Sequence, residues 1–170
     1  MFDRRRLSVF TLVACALVLT SSVLTFAGDS GTRKELEAAY AKHDQAMKDK
    51  DWDYIKSVET EDYTEKSKEG TVQNKQQADT QADSMLPMLT AITSASTVIT
   101  GVREGKSEDE VIAETSDTCV LIVKGNDGKD HTMEIASKSR DTWVHRDAGW
   151  RIKYHEGLES TTKVDGQLLN

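Results

Sequence analysis

The run Met133-Glu134-Ile135-Ala136-Ser137-Lys138-Ser139-Arg140-Asp141-Thr142-Trp143 decides how this chain is read, together with the run Trp150-Arg151-Ile152-Lys153-Tyr154-His155-Glu156-Gly157-Leu158. Between them lies the turn cluster Arg146-Asp147-Ala148-Gly149. Successive side chains on a strand point to opposite faces. Met133, Ile135, Ser137, Ser139, Asp141 and Trp143 therefore share one face, and Glu134, Lys138, Arg140 and Thr142 the other. The first set is the more apolar and is assigned to the interior. In the second run the even positions Trp150, Ile152, Tyr154, Glu156 and Leu158 are assigned inward, and Arg151, Lys153 and His155 outward. With Trp143 opposite Ile152, Asp141 falls opposite Tyr154 and Ser139 opposite Glu156. The inner face is then apolar beside the turn and polar farther from it.

Upstream the period changes. Leu36, Ala39, Tyr40, His43 and Met47 recur at helical spacing behind the capping-box pair Thr32 and Glu35, predicting a helix over about 33–49. Asp51 can cap a short second helix that turns Trp52, Ile55 and Val58 inward. Tyr63 to Lys66 and Thr71-Val72 read as short strands around Glu69-Gly70. Asn74 can cap a third helix with Ala78, Ala82, Met85, Leu86 and Leu89 on its apolar side, ended or kinked by Pro87. From Ala91 onward β-branched residues at a period of two replace helical spacing, as in Ser96-Thr97-Val98-Ile99-Thr100 and Val120-Leu121-Ile122-Val123, with a turn at Gly125-Asn126-Asp127-Gly128. Helices followed by a meander of strands indicate an α+β domain.

The chain opens on a different composition. Arg4, Arg5 and Arg6 precede a nearly uncharged run from Leu7 to Phe26 and the small residues Ala27 and Gly28, the pattern of a signal peptide cleaved after residue 27. The expected product is an exported domain, periplasmic or secreted, over 28–160, with a flexible tail over 161–170. A retained anchor ranks lower, because the apolar run only just reaches the roughly 18 residues a span needs. Lipidation at Cys15 also ranks lower, because Leu12-Val13-Ala14-Cys15 would be followed by more apolar chain where a polar tether is usual. Residues 1–27 carry three Arg and one Asp, so their removal takes the formal charge from -7 to -9. That acidity argues against nucleic acid and against stable association with anionic membranes, both of which require basic patches. Cleavage leaves Cys119 as the single cysteine, so no intrachain disulfide is expected, and its apolar surroundings read as core.

The passage from Arg140 to Ile152 resembles the terminal hairpin of the SnoaL-like branch of the nuclear transport factor 2-like superfamily. Ala46-Met47-Lys48-Asp49-Lys50-Asp51-Trp52-Asp53 is similar to that family's break between its first two helices, and Glu61-Asp62 to its acidic pair before the first strand. The resemblance spans about residues 33–158. It implies a cone: a curved antiparallel sheet with three N-terminal helices on its concave face and a pocket beneath the first of them. Homodimers through the sheet are also implied, as are members that catalyse isomerisation, dehydration, cyclisation or hydrolysis beside others that only bind ligands. The position of the ketosteroid isomerases' general-base aspartate corresponds here to Ser67, and that of their helix-one tyrosine to His43. Both departures argue against that particular chemistry.

Several polar residues fall on inward-facing positions. His43, Asp141, Tyr154 and Glu156 are expected to converge in the pocket, with Tyr40 and Trp143 completing a ligand-binding set. Buried polar groups need partners, and a His beside a carboxylate is a general-base candidate, with a phenol to donate to an oxyanion. A core histidine satisfied by hydrogen bonds, and tryptophans that close the end of a core, explain the same residues without catalysis. His43, His131, His145 and His155 lack metal-ligand spacing, and there is no phosphate loop, nucleophile elbow or Cys pair. No metal or cofactor is therefore expected. Three functions stay open: a small organic ligand bound in the cone, a pocket enzyme using a His/Asp pair, and a homodimeric interaction module with a filled pocket.

Overall fold

The computed structural model describes residues 30–147 and 149–169. The expected leader over 1–27, with its cleavage site and Cys15, lies outside the described residues. The elements in chain order are α1 (Ser30–Asp49), α2 (Trp52–Ser57), β1 (Glu59–Lys66), β2 (Val72–Asn74), α3 (Lys75–Met85), a single 3-10 turn over Leu86–Met88, β3 (Leu89–Glu104), β4 (Glu110–Lys124), β5 (Asp130–Arg146), β6 (Gly149–Val164) and β7 (Gln167–Leu168). The α+β class is as expected, with helices preceding one large sheet.

Local chemistry sets most boundaries. Asp51 accepts a hydrogen bond from the Tyr54 amide and starts α2. Asn74 and Gln77 form a reciprocal capping box that starts α3, and Pro87 falls in the 3-10 turn that ends it. The expected capping box at Thr32 is not formed. Thr32 lies inside α1, and Glu35 instead accepts a hydrogen bond from Trp150 Nε1 at 2.8 Å. Gly149 has φ +98°, a left-handed conformation that admits glycine cheaply and lets β5 turn into β6. At Gly105 a Cβ would collide with the side chain and backbone of Glu110, so the β3–β4 connection closes only over a glycine.

The strand order is β2-β1-β6-β5-β4-β3, with β7 on β6. All neighbours are antiparallel except β1 and β6, which run parallel. The sheet is therefore mixed, not purely antiparallel. Nearly half of the chain separates β1 from β6, so no tight turn fixes their direction. The domain also continues past residue 160: β6 runs to Val164, turns at Asp165-Gly166 and pairs with β7. Asp165 holds the Thr132 amide at 2.9 Å, which ties this end to β5.

Helix α1 crosses the concave face. Leu36 and Tyr40 pack with Ile99, Ala113 and Trp143 into the buried cluster, flanked by Val102, Val111, Trp150 and Ile152. Asp44 clamps the helix to β3 by accepting from the Thr97 amide at 2.8 Å and its hydroxyl at 2.9 Å. Helix α3 covers the β1–β2 edge of the same face, where Gln81 accepts a hydrogen bond at 2.7 Å from Gln73, the strand partner of the cavity-lining Glu65. It packs against β1 and β2, and Ala82 and Met85 are exposed. Its remaining residues are mainly Gln, Asp, Ser and Thr, and the three-residue β2 offers too narrow a surface to cover an apolar stripe.

Trp143 is fully enclosed, only 1% exposed, whereas Trp150 closes the end of the cluster and keeps its indole nitrogen on Glu35. Trp143→Ala should therefore destabilise the protein by about 3–5 kcal/mol, and Trp150→Ala by clearly less, as read from chemical-denaturation midpoints. Equal losses at the two positions would contradict this core.

Candidate functional site

Between α1 and the concave face lies a cavity of about 380 Å³, open at one end. Alternation along β4 and β5 sets its wall. Asp117, Thr115, Asp141 and Ser139 point inward, while Glu134 and Lys138 are exposed outside. The inner assignment for β5 thus holds along its length, with Ser139, Asp141 and Trp143 all buried.

The assignment for β6 holds only as far as Ile152. Trp143 pairs with Ile152 as expected, but the next pair is Thr142 with Tyr154, leaving Lys153 as the extra residue of a β-bulge. One inserted residue reverses every later side chain. Tyr154 joins Thr142 and Arg140 on the outer face, Glu156 lies opposite Arg140 and accepts its guanidinium at 3.1 Å, and His155 turns inward opposite Asp141. The expected pairings of Asp141 with Tyr154 and of Ser139 with Glu156 are therefore corrected to His155 and Gly157. A second bulge at Leu158, between the Ser139 and Lys138 pairs, leaves that side chain exposed. Lys153 itself spans the outer face to Glu110 at 2.7 Å.

Of the residues singled out in the sequence, Tyr40, His43 and Asp141 border the cavity, Trp143 is enclosed in the core behind Tyr40 and does not line it, and Tyr154 and Glu156 are on the opposite side of the sheet. His155 was not anticipated. A lone histidine between Tyr and Glu, on the apparent outer parity, carries no signal until the bulge is known.

Asp141 organises the inner end. Its Oδ2 accepts from the Tyr40 hydroxyl at 2.6 Å, and its Oδ1 lies 2.7 Å from His155 Nδ1. Tyr40 in turn accepts from Trp143 Nε1 at 2.8 Å, with the two rings edge to face. A carboxylate opposite Nδ1 holds the proton there and leaves Nε2 of His155 as the outward-acting nitrogen. Burial and then the Asp141 charge push the Tyr40 phenol far up, so it stays a donor. Burial alone would lower His155, but the hydrogen bond and charge of Asp141 outweigh it, with Glu65 and Asp117 adding to the net upward shift.

His43 is driven the opposite way. It has no hydrogen-bond partner among the described residues, and burial, joined by repulsion from His155, lowers its pKa against the pull of Asp44 and Asp141. Asp117, whose Oδ2 is held by the hydroxyls of Thr115 at 2.9 Å and Ser139 at 3.2 Å, is raised by burial and by Asp141. Burial likewise raises the Cys119 thiol at the rim. Among the described residues no group of three or more His, Cys, Asp and Glu side chains could hold a metal ion.

This arrangement of helices and strands is shared with known structures. A putative scytalone dehydratase from Novosphingobium aromaticivorans superposes with a TM-score of 0.63 at 12% identity, over 77% of this chain and 87% of that one. This chain has the nuclear transport factor 2-like fold. A hexachlorocyclohexane dehydrochlorinase, LinA type 2, matches with a TM-score of 0.57 at 16% identity, over 82% and 94% of the two chains. A conserved protein from Planctomyces limnophilus matches at 0.62 and 12%, over 75% and 95%. No protein-family model and no curated protein matches the sequence. At such identities the nuclear transport factor 2-like likeness carries the fold and no activity.

The dyad has a measurable signature. A histidine pKa that is raised on folding contributes stability that is complete below its unfolded value near 6.5. That contribution fades as the pH climbs through the folded value. The destabilisation caused by His155→Gln should therefore be largest below about pH 6.5 and shrink toward alkaline pH, followed by urea midpoints across the range. In Asp141→Asn the His155 ring, observed by NMR, should titrate at lower pH than in wild type. An unchanged midpoint of titration would mean the two side chains do not interact.

Proposed function

We propose that the cavity binds a small organic molecule and that His43 and His155 move a proton on it, His43 as base and His155 as acid. The supporting observation is that two imidazoles border one cavity with their proton affinities driven apart, one unpartnered and the other held by a buried carboxylate. Pairs of titratable groups separated in this way divide acid and base work near neutral pH. A neutral His43 can take a proton from carbon, and a charged His155 can give one through Nε2.

Elimination is the reaction this arrangement serves most directly. His43 removes a C–H proton, the electron pair forms C=C, the C–O bond to a β-hydroxyl breaks, and His155 protonates the departing oxygen as water. Solved structures of like fold are named as a putative dehydratase and a dehydrochlorinase, so the reading is compatible with the fold, while the histidine pair alone carries it. Tyr40 and Trp143 act by holding Asp141 and, through it, His155.

The alternative of a homodimer through the sheet has less in its favour. Around Arg140 the outer face is a ladder of charges: Arg140 with Glu156 and Glu114, Lys153 with Glu110, and Lys138 with Glu159. We further take the chain to be exported, on the Arg4-to-Ala27 segment alone, so its substrate would be met in the periplasm or outside the cell.

The test uses a panel of small β-hydroxy ketones in D₂O with ¹H NMR detection. Loss of the hydroxyl ketone, or deuterium entering the carbon beside the carbonyl, is expected at rates that His43→Ala lowers by about 10²- to 10⁴-fold. Panel compounds that bind without exchange or elimination would leave a binding protein and no enzyme. A full rate in His43→Ala would remove that residue from the chemistry.

A further inference from the structure

The two faces of the sheet neutralise their carboxylates differently. Outside, Glu110, Glu114, Glu156 and Glu159 each meet a lysine or arginine. Inside, the cavity is bordered by Asp44, Glu59, Glu65, Asp117 and Asp141 and, among the described residues, by no lysine or arginine. Glu59 is answered by Lys75 at 2.7 Å and Asp141 by His155. The other three have only neutral donors: the Thr97 amide and hydroxyl for Asp44, the Tyr63 hydroxyl for Glu65, and the Thr115, Ser139 and Thr97 side chains for Asp117. Strand alternation produces this asymmetry, because Lys138, Arg140 and Lys153 all fall on the outer face.

We propose that the molecule this cavity accepts is a cation of the amine class, with Asp117 as its counter-ion. The inference rests on the cavity being a ligand site, as proposed above. A wall carrying uncompensated carboxylates repels anions and concentrates cations, the more so where low-dielectric walls limit screening. Asp117 is placed to make the contact. It lies in the middle of the wall, between Thr97 on β3 and Ser137 on β5. The Thr115 and Ser139 hydroxyls bond its Oδ2 and the Thr97 side chain adds a further hydrogen bond, so every donor to it is neutral. An ammonium there would gain a charge-assisted hydrogen bond.

A structural role explains Asp117 poorly. Burial raises its pKa, so above the unfolded carboxylate value near 3.9 the ionised side chain lowers stability instead of adding to it. Stability given up at one position is what a binding site shows.

Three probes of one shape separate the possibilities: benzylamine, benzyl alcohol and benzoate, titrated by calorimetry at pH 7.5 into the mature chain. Benzylamine is expected to bind at least about tenfold more tightly than benzyl alcohol, as one charge-assisted bond implies, and benzoate to give no saturable heat. Asp117→Asn should erase the benzylamine advantage, keep the benzyl alcohol affinity and leave the denaturation midpoint equal or higher. Asp117→Ser serves as a second variant if the first does not fold. Benzoate binding as tightly as benzylamine, or an advantage that survives both substitutions, overturns the assignment. Binding of benzyl alcohol without benzylamine overturns only the charge of the ligand, whereas failure of all three probes at millimolar concentration removes the ligand site as well.

Discussion

The satisfaction of one buried carboxylate holds the interior together. Asp141 sits on β5 beneath α1, where an ionised group without partners costs several kcal/mol. Its two oxygens are taken by a phenol from α1 and an imidazole from β6, so one side chain ties the β5–β6 hairpin to a helix 101 residues upstream. Trp143, two positions further along β5, fills the core with its ring and anchors the same phenol with its nitrogen. Packing and polar satisfaction are thus not separate layers here. Trp143 positions Tyr40, Tyr40 positions Asp141, and Asp141 sets the proton on His155.

That arrangement depends on the bulge at Lys153. Without the extra residue, Tyr154 would enter the cavity and His155 would face outward, leaving Asp141 beside a second phenol and no base. The bulged lysine is itself used, since its ammonium reaches Glu110, which is buried beside the β3–β4 connection. The register change is therefore supported by an ion pair on one face and a carboxylate–imidazole pair on the other.

The fold supplies the container, and a fold by itself does not fix what its container holds. What distinguishes this cavity is its inventory: two histidines with opposed proton affinities, hydroxyls in the middle of the wall, and carboxylates lacking a basic partner. The first of these argues for proton transfer, and the last for the charge of what enters. They rest on different side chains and can fail independently.

Much of this was legible without coordinates. Hydrophobic period and turn chemistry placed the helices and the long strands, and the alternation of β5 located Ser139, Asp141 and Trp143 on the inner face, because each depends on spacing within a few residues of chain. The sequence also located Tyr40 and His43, since the apolar stripe of α1 leaves one side for the core. Tertiary structure alone decided which partner Asp141 would have. A bulge leaves no compositional trace at Lys153, and its sign is set by ladder hydrogen bonds to Thr142 and Trp143 and by the match of Lys153 to a glutamate 43 residues away. The parallel join of β1 to β6 and the shallow seat of α3 have the same origin: they follow from which surfaces remain uncovered once the sheet has closed, a quantity that no local window of sequence contains.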